Sequence, residues 1–293
     1  MGKPIDKTDI HLHCGAPKTG TTSLSFFFQA NEDRLTANNI FFPHRFAMRG
    51  DVDPLHQALV ACRRPSTEAQ GITQAKERLS ELFEKHPRTR LLISNESLLG
   101  EPFEPDNPEF YPHAERVAPI LKEIFDGYQV SISFLTRDFA TFIPSYYVQL
   151  VRRGSFQSLV DFANSLDRDT LTWRKPIAAL TQAFGEQQVA VSDYESFAIE
   201  PDMLVQSVFS KSLDIDMPTF TSEGFRRNRS FGGVVLRATR LLNYATSKLP
   251  RQKRDQYRKF LRRSLIAPLS RLARGNKPAL PPEIVEELKQ LSQ

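Results

Sequence analysis

The sequence predicts an α/β protein with a mostly parallel central sheet flanked by helices. Short strand-like apolar runs alternate with helical stretches from residue 10 to about residue 192, and this alternation is typical of parallel strands joined by crossover helices. With 293 residues, of which 40% are hydrophobic and 25% charged, the chain can bury a large core. We therefore expect a single domain over 1–293, with an α/β core over about 9–215 and a basic helical C-terminal segment over about 216–293.

The chain opens with a strand, a glycine loop and a helix. The sequence IHLHC at 10–14 alternates apolar and polar residues and leads into Gly15, as a strand that ends in a turn would. A helical run begins at Thr21, and its apolar side chains can share one face of that helix. These side chains are Leu24, Phe27, Phe28 and Leu35.

Further strands follow along the chain. They are predicted at 40–42, 90–94, 129–135 and 188–192. The last three each follow a helical stretch, at about 73–85, 113–125 and 173–184. In open parallel sheets ligands bind at the carboxyl ends of the strands. We expect the functional site at that edge.

Two segments rich in proline or glycine, Gly50–Pro54 and Glu101–Pro112, are predicted to be surface loops or substrate-facing insertions. The second contains Phe103, Phe110 and Tyr111, which can either stack on a sugar or aromatic ring of a ligand or anchor the loop by packing.

Positive charge is concentrated near the C-terminus. Residues 226–277 contain sixteen Lys and Arg and one acidic residue, Asp255. Because the net charge of the whole chain is +5, the remaining residues together carry a net charge of −10. The segment is predicted to be helical over 231–249, and a last helix begins at Pro281-Pro282 and ends near Leu291. Its charge indicates either a solvated basic helix face or a surface that holds an anionic polymer such as a polysaccharide.

Several classes of protein are disfavoured by composition. The two cysteines, Cys14 and Cys62, are too few for a disulfide framework and lack zinc-ligand spacing, so we expect reduced, packed thiols. The sequence shows no signal-peptide core and no run of about 18 apolar residues, which predicts a soluble, cytoplasmic protein. It also contains no obvious acidic metal cluster, and we expect no metal.

The glycine loop has the features of a phosphate-binding loop. GAPKTGTT at 15–22 has the glycine spacing of a Walker A loop, but Thr21 stands where that loop has its lysine, and the lysine is at Lys18 instead. The main-chain N–H groups of residues 18–22 and the dipole of the following helix can still surround an anionic group. Phosphate binding is therefore predicted, whereas ordinary ATPase chemistry is disfavoured.

The string PKTGTT at 17–22 resembles the 5'-phosphosulfate loop of the sulfotransferases that use 3'-phosphoadenosine 5'-phosphosulfate (PAPS), with their bacterial and carbohydrate-type branch the most similar. The resemblance implies a P-loop-like sulfotransferase fold with PAPS as co-substrate and PAP as product. It also implies that Lys18 contacts the oxygen that bridges sulfate and phosphate. The implied cofactor-binding residues of the loop are Pro17, Lys18, Thr19, Gly20, Thr21 and Thr22.

This sequence also resembles a second signature of that family. It is an arginine at the end of a later strand with a serine about eight residues on, here Arg137 and Ser145. The resemblance implies that both hold the 3'-phosphate of the nucleotide, and the fork of an arginine suits such a contact. Looser likeness reaches Trp173 and the stretch Asn228-Arg229-Ser230. There, either Asn228 or Arg229 contacts the nucleotide, or Asn228 or Ser230 caps a helix.

Sulfuryl transfer needs a general base opposite the leaving phosphate. Glu96 follows the strand at 90–94 and is our first candidate, because it lies at the edge of the sheet that carries the loop; a structural ion pair with Lys18 is the alternative. Histidines compete for this role, although the two on the first strand are more typical of packing. They are His11, His13, His44 and His56.

The sequence therefore favours a sulfotransferase that acts on an acceptor hydroxyl or amine, with a carbohydrate as one candidate acceptor. Two alternatives stay open. A nucleotide-dependent kinase or NTPase is disfavoured by Thr21 in place of the Walker lysine. A non-catalytic protein that binds an anionic polymer would use the basic segment, but no nucleic-acid-reading motif is present.

Overall fold

The computed structural model describes residues 9–44, 53–87, 89–104, 107–199, 201–203, 205–206, 209, 215–219, 233–250, 252–253, 256–257 and 278–292. The chain divides into two compact units. The first comprises residues 1–137 and 167–227, and the second comprises residues 138–166 and 228–293. A single domain with a boundary near residue 215 stays a prediction.

The first unit is built on a five-stranded sheet in which every pair of neighbouring strands is parallel. Its strands are β1 Asp9–Gly15, β2 Ile40–Phe41, β3 Arg90–Ser94, β4 Gln129–Thr136 and β5 Val189–Asp193. The spatial order is β2-β3-β1-β4-β5. The predicted α/β class and its parallel sheet are confirmed, and β1 occupies the centre with its carboxyl end between those of β3 and β4.

Helices alternate with these strands. In chain order they are α1 Thr21–Ala30, α2 Glu32–Ala37, α3 Pro54–Ala61, α4 Glu68–Lys85, α5 Ala114–Ile124, α6 Phe139–Arg153, α7 Leu159–Asn164, α8 Arg174–Phe184, α9 Tyr194–Ile199, α10 Pro201–Met203, α11 Gly233–Ser247 and α12 Pro282–Leu291. The helical run predicted from Thr21 begins at that residue but breaks at Asn31 into α1 and α2.

An apolar cluster fixes α1 in the first unit. Leu24 and Phe28, four residues apart on one face of α1, are fully buried beside Leu35 of α2 and Leu92 of β3. The ring of Phe28 lies 4.9 Å from that of Phe209. Burying side chains of this size contributes about 1.5–3 kcal/mol each. The start of α1, and with it the end of the preceding loop, is thereby held in place.

The segment 101–112 differs from the surface loop that its prolines predicted. Phe103, Phe110 and Tyr111 are 5%, 0% and 1% exposed, so the prediction of a surface loop is wrong at these residues. The ring of Phe110 packs edge-on against Trp173, with ring centroids 4.9 Å apart. Packing therefore accounts for these aromatic side chains. The other proline and glycine segment, 50–54, lies mostly outside the described residues.

The second unit is helical in its described part and contains α6, α7, α11 and α12. Asn243 of α11 donates from Nδ2 to the carbonyls of Val151 and Ser155, both at 2.8 Å. The N–H of Phe139, at the start of α6, donates to Ser292 Oγ just beyond α12 at 2.9 Å. The helices predicted at 231–249 and after Pro281 are thus present, whereas much of the basic segment 226–277 lies outside the described residues.

Two features are absent from the described residues, a membrane-spanning helix and a cluster of metal ligands. None of the helices there is both long enough and apolar enough to cross a lipid bilayer. The same part of the chain contains no group of three or more His, Cys, Asp or Glu side chains that could hold a metal ion.

Candidate functional site

The loop after β1 begins with a close contact between two backbones. Gly15 has φ 123°, a conformation that side chains rarely adopt. A Cβ atom at this position would lie 2.3 Å from the carbonyl oxygen of Leu135 in β4. The next N–H, of Ala16, donates to that same oxygen at 2.6 Å. Glycine is therefore required where the loop leaves the sheet.

Two later residues of the loop also have left-handed backbone conformations. Lys18 has φ 70° and Gly20 has φ 84°, and Gly20 is the N-cap of α1 without a side-chain cap. Left-handed residues placed between ordinary ones turn successive N–H groups toward a common point, which forms an anion-binding concavity. The predicted order of strand, loop and helix is confirmed. That the loop binds a phosphate stays a prediction.

Side chains occupy three carbonyl oxygens of this loop. The Gly15 carbonyl accepts from Tyr111 Oη at 3.0 Å, and the Ala16 carbonyl accepts from Thr19 Oγ1 at 2.7 Å. The Lys18 carbonyl accepts from Arg137 Nη1 at 2.6 Å. These bonds engage the negative ends of the peptide dipoles. An anion would be repelled by such oxygens if they were turned toward it.

The N–H groups at the start of α1 remain available. No main-chain acceptor is found within the described ranges for the N–H groups of Thr19, Gly20, Thr21 and Thr22, as helix geometry leads one to expect for a first turn. The Thr21 side chain is 3% exposed, and its Oγ1 has no hydrogen-bond partner in the described structure. The dipole of α1 adds roughly half a positive charge here. Donors and charge both favour an anion at this point.

Arg137 lies immediately after β4 and next to the loop. Besides its bond to the Lys18 carbonyl, its guanidinium carbon is 4.7 Å from the centre of the Tyr194 ring. Its Nε is 3.9 Å from Glu195 Oε1, and its side chain is 13% exposed. The carbonyl of Arg137 accepts from Trp173 Nε1 at 2.9 Å. The structure thus brings Arg137 to the loop, while its contact with a nucleotide stays a prediction.

Glu96 follows the end of β3, which neighbours β1. Ser94 is paired in register with His13, and the next N–H, of Asn95, donates to the His13 carbonyl at 2.8 Å. Glu96 is half-buried in the turn that follows. Its backbone therefore lies at the same carboxyl edge of the sheet as the loop. Its role as the general base is untested and stays a prediction.

The two histidines of β1 are buried in a polar row between strands. His11 Nδ1 lies 2.9 Å from Ser131 Oγ, and its Nε2 lies 3.1 Å from Ser133 Oγ. His13 Nδ1 lies 2.9 Å from Ser94 Oγ. Burial, and secondarily repulsion from His13, lowers the pKa of His11 to about 3. These contacts fit the packing alternative for both side chains.

The remaining histidine candidates also have partners. His44 Nε2 lies 3.3 Å from Glu32 Oε1. His56 is 3% exposed, with its Nε2 3.0 Å from the carbonyl oxygen of Pro43. Neither contact involves the loop at 15–22.

Two predicted nucleotide contacts lie elsewhere. Ser145 is on α6 of the second unit, and its pairing with Arg137 stays a prediction. The stretch Asn228-Arg229-Ser230 lies outside the described residues.

Sequence reasoning missed the roles of Tyr111 and Trp173 in holding the loop and Arg137. No local motif marks either residue. The available signals were indirect: Trp173 is the single tryptophan of the chain, and Tyr111 ends a proline-rich segment in which aromatic residues are unusually dense.

Comparisons with known proteins gave structural likeness only. No family model matches the chain, and no curated protein matches it. A solved structure of a sulfotransferase from Alicyclobacillus acidocaldarius is 16% identical, covers 84% of this chain and 91% of its own, and gives a TM-score of 0.46. A sulfotransferase domain from the curacin biosynthetic pathway is 12% identical, with coverages of 79% and 82% and a TM-score of 0.38.

Proposed function

We propose that this chain is a sulfotransferase that moves a sulfuryl group from PAPS to a hydroxyl or amine of an acceptor. One observation carries the proposal: in the loop at 15–22, which contains Lys18, the N–H groups of Thr19 to Thr22 find no main-chain acceptor among the described residues, while side-chain donors bind the carbonyls of Gly15, Ala16 and Lys18. The string PKTGTT that forms this loop resembles the phosphosulfate loop of that family.

The residues of the loop fit the 5'-phosphosulfate end of PAPS. The N–H groups at the start of α1 and the buried Thr21 hydroxyl are donors of the type that phosphate oxygens accept. Lys18 would contact the oxygen that bridges sulfur and phosphorus, where negative charge develops as the bond to sulfur breaks. A cation placed at developing charge lowers the barrier because it interacts more strongly with the transition state than with the ground state.

Glu96 is proposed to take the acceptor proton. In an in-line displacement the acceptor oxygen or nitrogen forms its bond to sulfur while the bond from sulfur to the bridging oxygen breaks. The acceptor proton passes to the Glu96 carboxylate, and PAP leaves with the electrons of the broken bond. The turn after β3 puts the backbone of Glu96 at the sheet edge that carries the loop, which supports this assignment.

Arg137 and Ser145 are proposed to hold the 3'-phosphate. A guanidinium can donate two parallel hydrogen bonds to one phosphate. Because Arg137 Nη1 already donates to the Lys18 carbonyl, a phosphate bound by Arg137 would also affect the loop. The acceptor is proposed to be a carbohydrate, namely an anionic polysaccharide held by the basic segment 226–277.

A nucleotide-dependent kinase or NTPase is the second candidate. The glycine spacing of the loop and the parallel sheet favour it. The position of Thr21, where a Walker A loop has lysine, disfavours it. The two candidates differ in metal dependence, since phosphoryl transfer from ATP relies on Mg²⁺.

The deciding experiment is calorimetric titration of the purified protein with PAP and, separately, with ATP, both in EDTA. We expect PAP to bind with a Kd in the micromolar range or below and ATP to bind much more weakly. Failure to bind PAP, or ATP binding that is seen only after Mg²⁺ is restored, would overturn the proposal in favour of the kinase.

A further inference from the structure

Tyr111 has an unusual backbone conformation that its surroundings hold in place. Its φ is 49°, in the left-handed region that bulky residues rarely adopt. Its N–H donates to the Pro102 carbonyl at 2.8 Å, and its own carbonyl accepts from the N–H of Ala114 at 3.1 Å. The side chain is 1% exposed. Strained residues that are held by so many contacts are concentrated at functional sites.

The Tyr111 hydroxyl is hydrogen-bonded to the loop. Its Oη donates at 3.0 Å to the carbonyl of Gly15, a residue 96 positions earlier in the chain. The ring packs edge-on against Phe110, at 4.9 Å between centroids, and at a tilted angle against Trp173, at 6.1 Å. Trp173 in turn donates to the carbonyl of Arg137. The aromatic cluster of Phe110, Tyr111 and Trp173 therefore bonds to Gly15 and to Arg137, and Arg137 in turn bonds to the Lys18 carbonyl in the loop.

We propose that Tyr111 is a positioning residue for the donor site: its hydroxyl holds the Gly15 carbonyl oxygen away from the space in which the 5'-phosphate of the nucleotide binds. This inference rests on the proposed function. If the hydroxyl is removed, the Gly15 carbonyl loses its donor, and the peptide that it shares with Ala16 is held by the Ala16 N–H bond to Leu135 alone. That peptide can then tilt and bring the oxygen closer to the N–H groups of the following residues. An oxygen there would compete with the phosphate for those donors and repel it.

A purely structural role predicts a different result. If Tyr111 only filled space or stabilised the fold, loss of its hydroxyl would lower stability without selecting between ligands. The structure provides a matched control in Tyr147 of the second unit, which is also 1% exposed and donates from Oη to a main-chain carbonyl, that of Gln157, at 2.8 Å. Tyr147→Phe removes an equivalent bond within the second unit.

The experiment compares Tyr111→Phe, Tyr147→Phe and the wild-type protein, all well below their melting temperatures. Calorimetry would measure the Kd of PAP and of adenosine 3'-phosphate, which lacks the 5'-phosphate. For Tyr111→Phe we expect PAP to bind about 10-fold more weakly, because the released carbonyl would compete with the 5'-phosphate for an N–H donor, while adenosine 3'-phosphate binds as before. Tyr147→Phe should change neither Kd.

The outcomes separate this inference from the function on which it rests. Wild-type protein that does not bind PAP would refute both. Wild-type binding with an unchanged PAP affinity in Tyr111→Phe, or an equal loss for both ligands, would refute the positioning role and leave the proposed function standing. A PAP-selective loss in Tyr147→Phe as well would also count against it, because the effect would then not depend on the loop.

Discussion

The polar residues of β1 and the loop that directly follows β1 make opposite use of their hydrogen bonds. On the strand, His11 and His13 are bonded by the hydroxyls of serines on neighbouring strands. In the loop, side-chain hydroxyl and guanidinium donors bind main-chain carbonyls at Gly15, Ala16 and Lys18. The first pattern links side chains to one another, and the second leaves main-chain N–H groups available for a ligand.

This difference shows that the number of polar residues does not identify a binding site. A polar side chain whose bonds are made within the fold contributes specificity and packing. In the loop, Tyr111, Arg137 and the nearby Thr19 occupy three carbonyls, an arrangement that would favour an anion beside the N–H groups at the start of α1. The predictions below test this division between the strand and the loop, in order of decreasing effect.

The comparison would fail if a histidine of β1, and not Glu96, accepted the proton. We expect Glu96→Gln to lower kcat by about 10²–10⁴-fold, the usual contribution of a general base, because the amide cannot accept the acceptor proton. PAP binding should be retained. Turnover with PAPS and calorimetry would measure the two effects. Glu123→Gln, which alters an exposed carboxylate paired with Lys76, is the control. An active Glu96→Gln enzyme would redirect attention to the histidines.

Lys18 tests whether the loop carries the chemistry. Lys18→Ala should lower kcat by about 10²–10³-fold, as expected for loss of one group that stabilises developing charge, and should leave the circular dichroism spectrum unchanged. Lys76→Ala removes a lysine paired with Glu123 and should turn over normally. Near-normal turnover in Lys18→Ala would remove this lysine from the mechanism.

Arg137 sharpens the comparison because it both supports the loop and is proposed to hold the 3'-phosphate. Arg137→Ala should weaken PAP binding by about 10–100-fold, which corresponds to the loss of charge-assisted hydrogen bonds. AMP, which lacks the 3'-phosphate, should lose less affinity, since only the contact with the Lys18 carbonyl affects it. Equal losses for PAP and AMP in calorimetry would contradict the assignment of the 3'-phosphate.

The buried histidine His11 should affect the free energy of unfolding and the way it changes with pH. The pKa of His11 is about 3 in the folded protein, against 6.5 for an ordinary histidine. As the pH falls below 6.5 the unfolded chain therefore takes up a proton that folded His11 does not, and the folded state loses stability until about pH 3. Between pH 7 and 5.5 this amounts to about 1 kcal/mol.

Urea unfolding of wild type and His11→Gln at the two pH values would measure this contribution. We expect the variant to lose about 1 kcal/mol less than wild type over that interval. His86→Gln offers a matched control for the same substitution at an exposed position. If the free energy of unfolding had the same pH dependence in wild type and His11→Gln, burial would not keep His11 from taking up a proton in the folded protein.

Much of the sheet could be predicted because its signals are local. Alternating or continuous apolar runs gave β1, β3, β4 and β5 to within one or two residues, and the change of period at Thr21 gave the start of α1. The glycines and the lysine of the loop form one continuous string. The string alone therefore indicated an anion site before any tertiary contact was known.

The contacts that shape the site could not be predicted in the same way. Tyr111 and Trp173 reach their acceptors across long stretches of chain, and nothing in their neighbouring residues specifies those partners. The prolines around Phe103 suggested exposure, but burial of the aromatic cluster prevailed. Likewise, His11 and His13 of the central strand have hydroxyl partners because serines of β4 and β3 lie beside them, and the sequence of β1 does not specify these serines.

The close contact between Gly15 and β4 also determines when the site can form as the protein is synthesised. β1 pairs with β3 and β4, and the Lys18 carbonyl is bonded by a residue 119 positions later. Contacts of this separation form late, since the chain must lose loop entropy before they stabilise it. A nascent chain that has left the ribosome only as far as β3 carries the whole PKTGTT string. It would nevertheless lack Tyr111 and Arg137, which bind two of the loop carbonyls, so the growing polypeptide should acquire its proposed affinity for anions only after Arg137 has emerged.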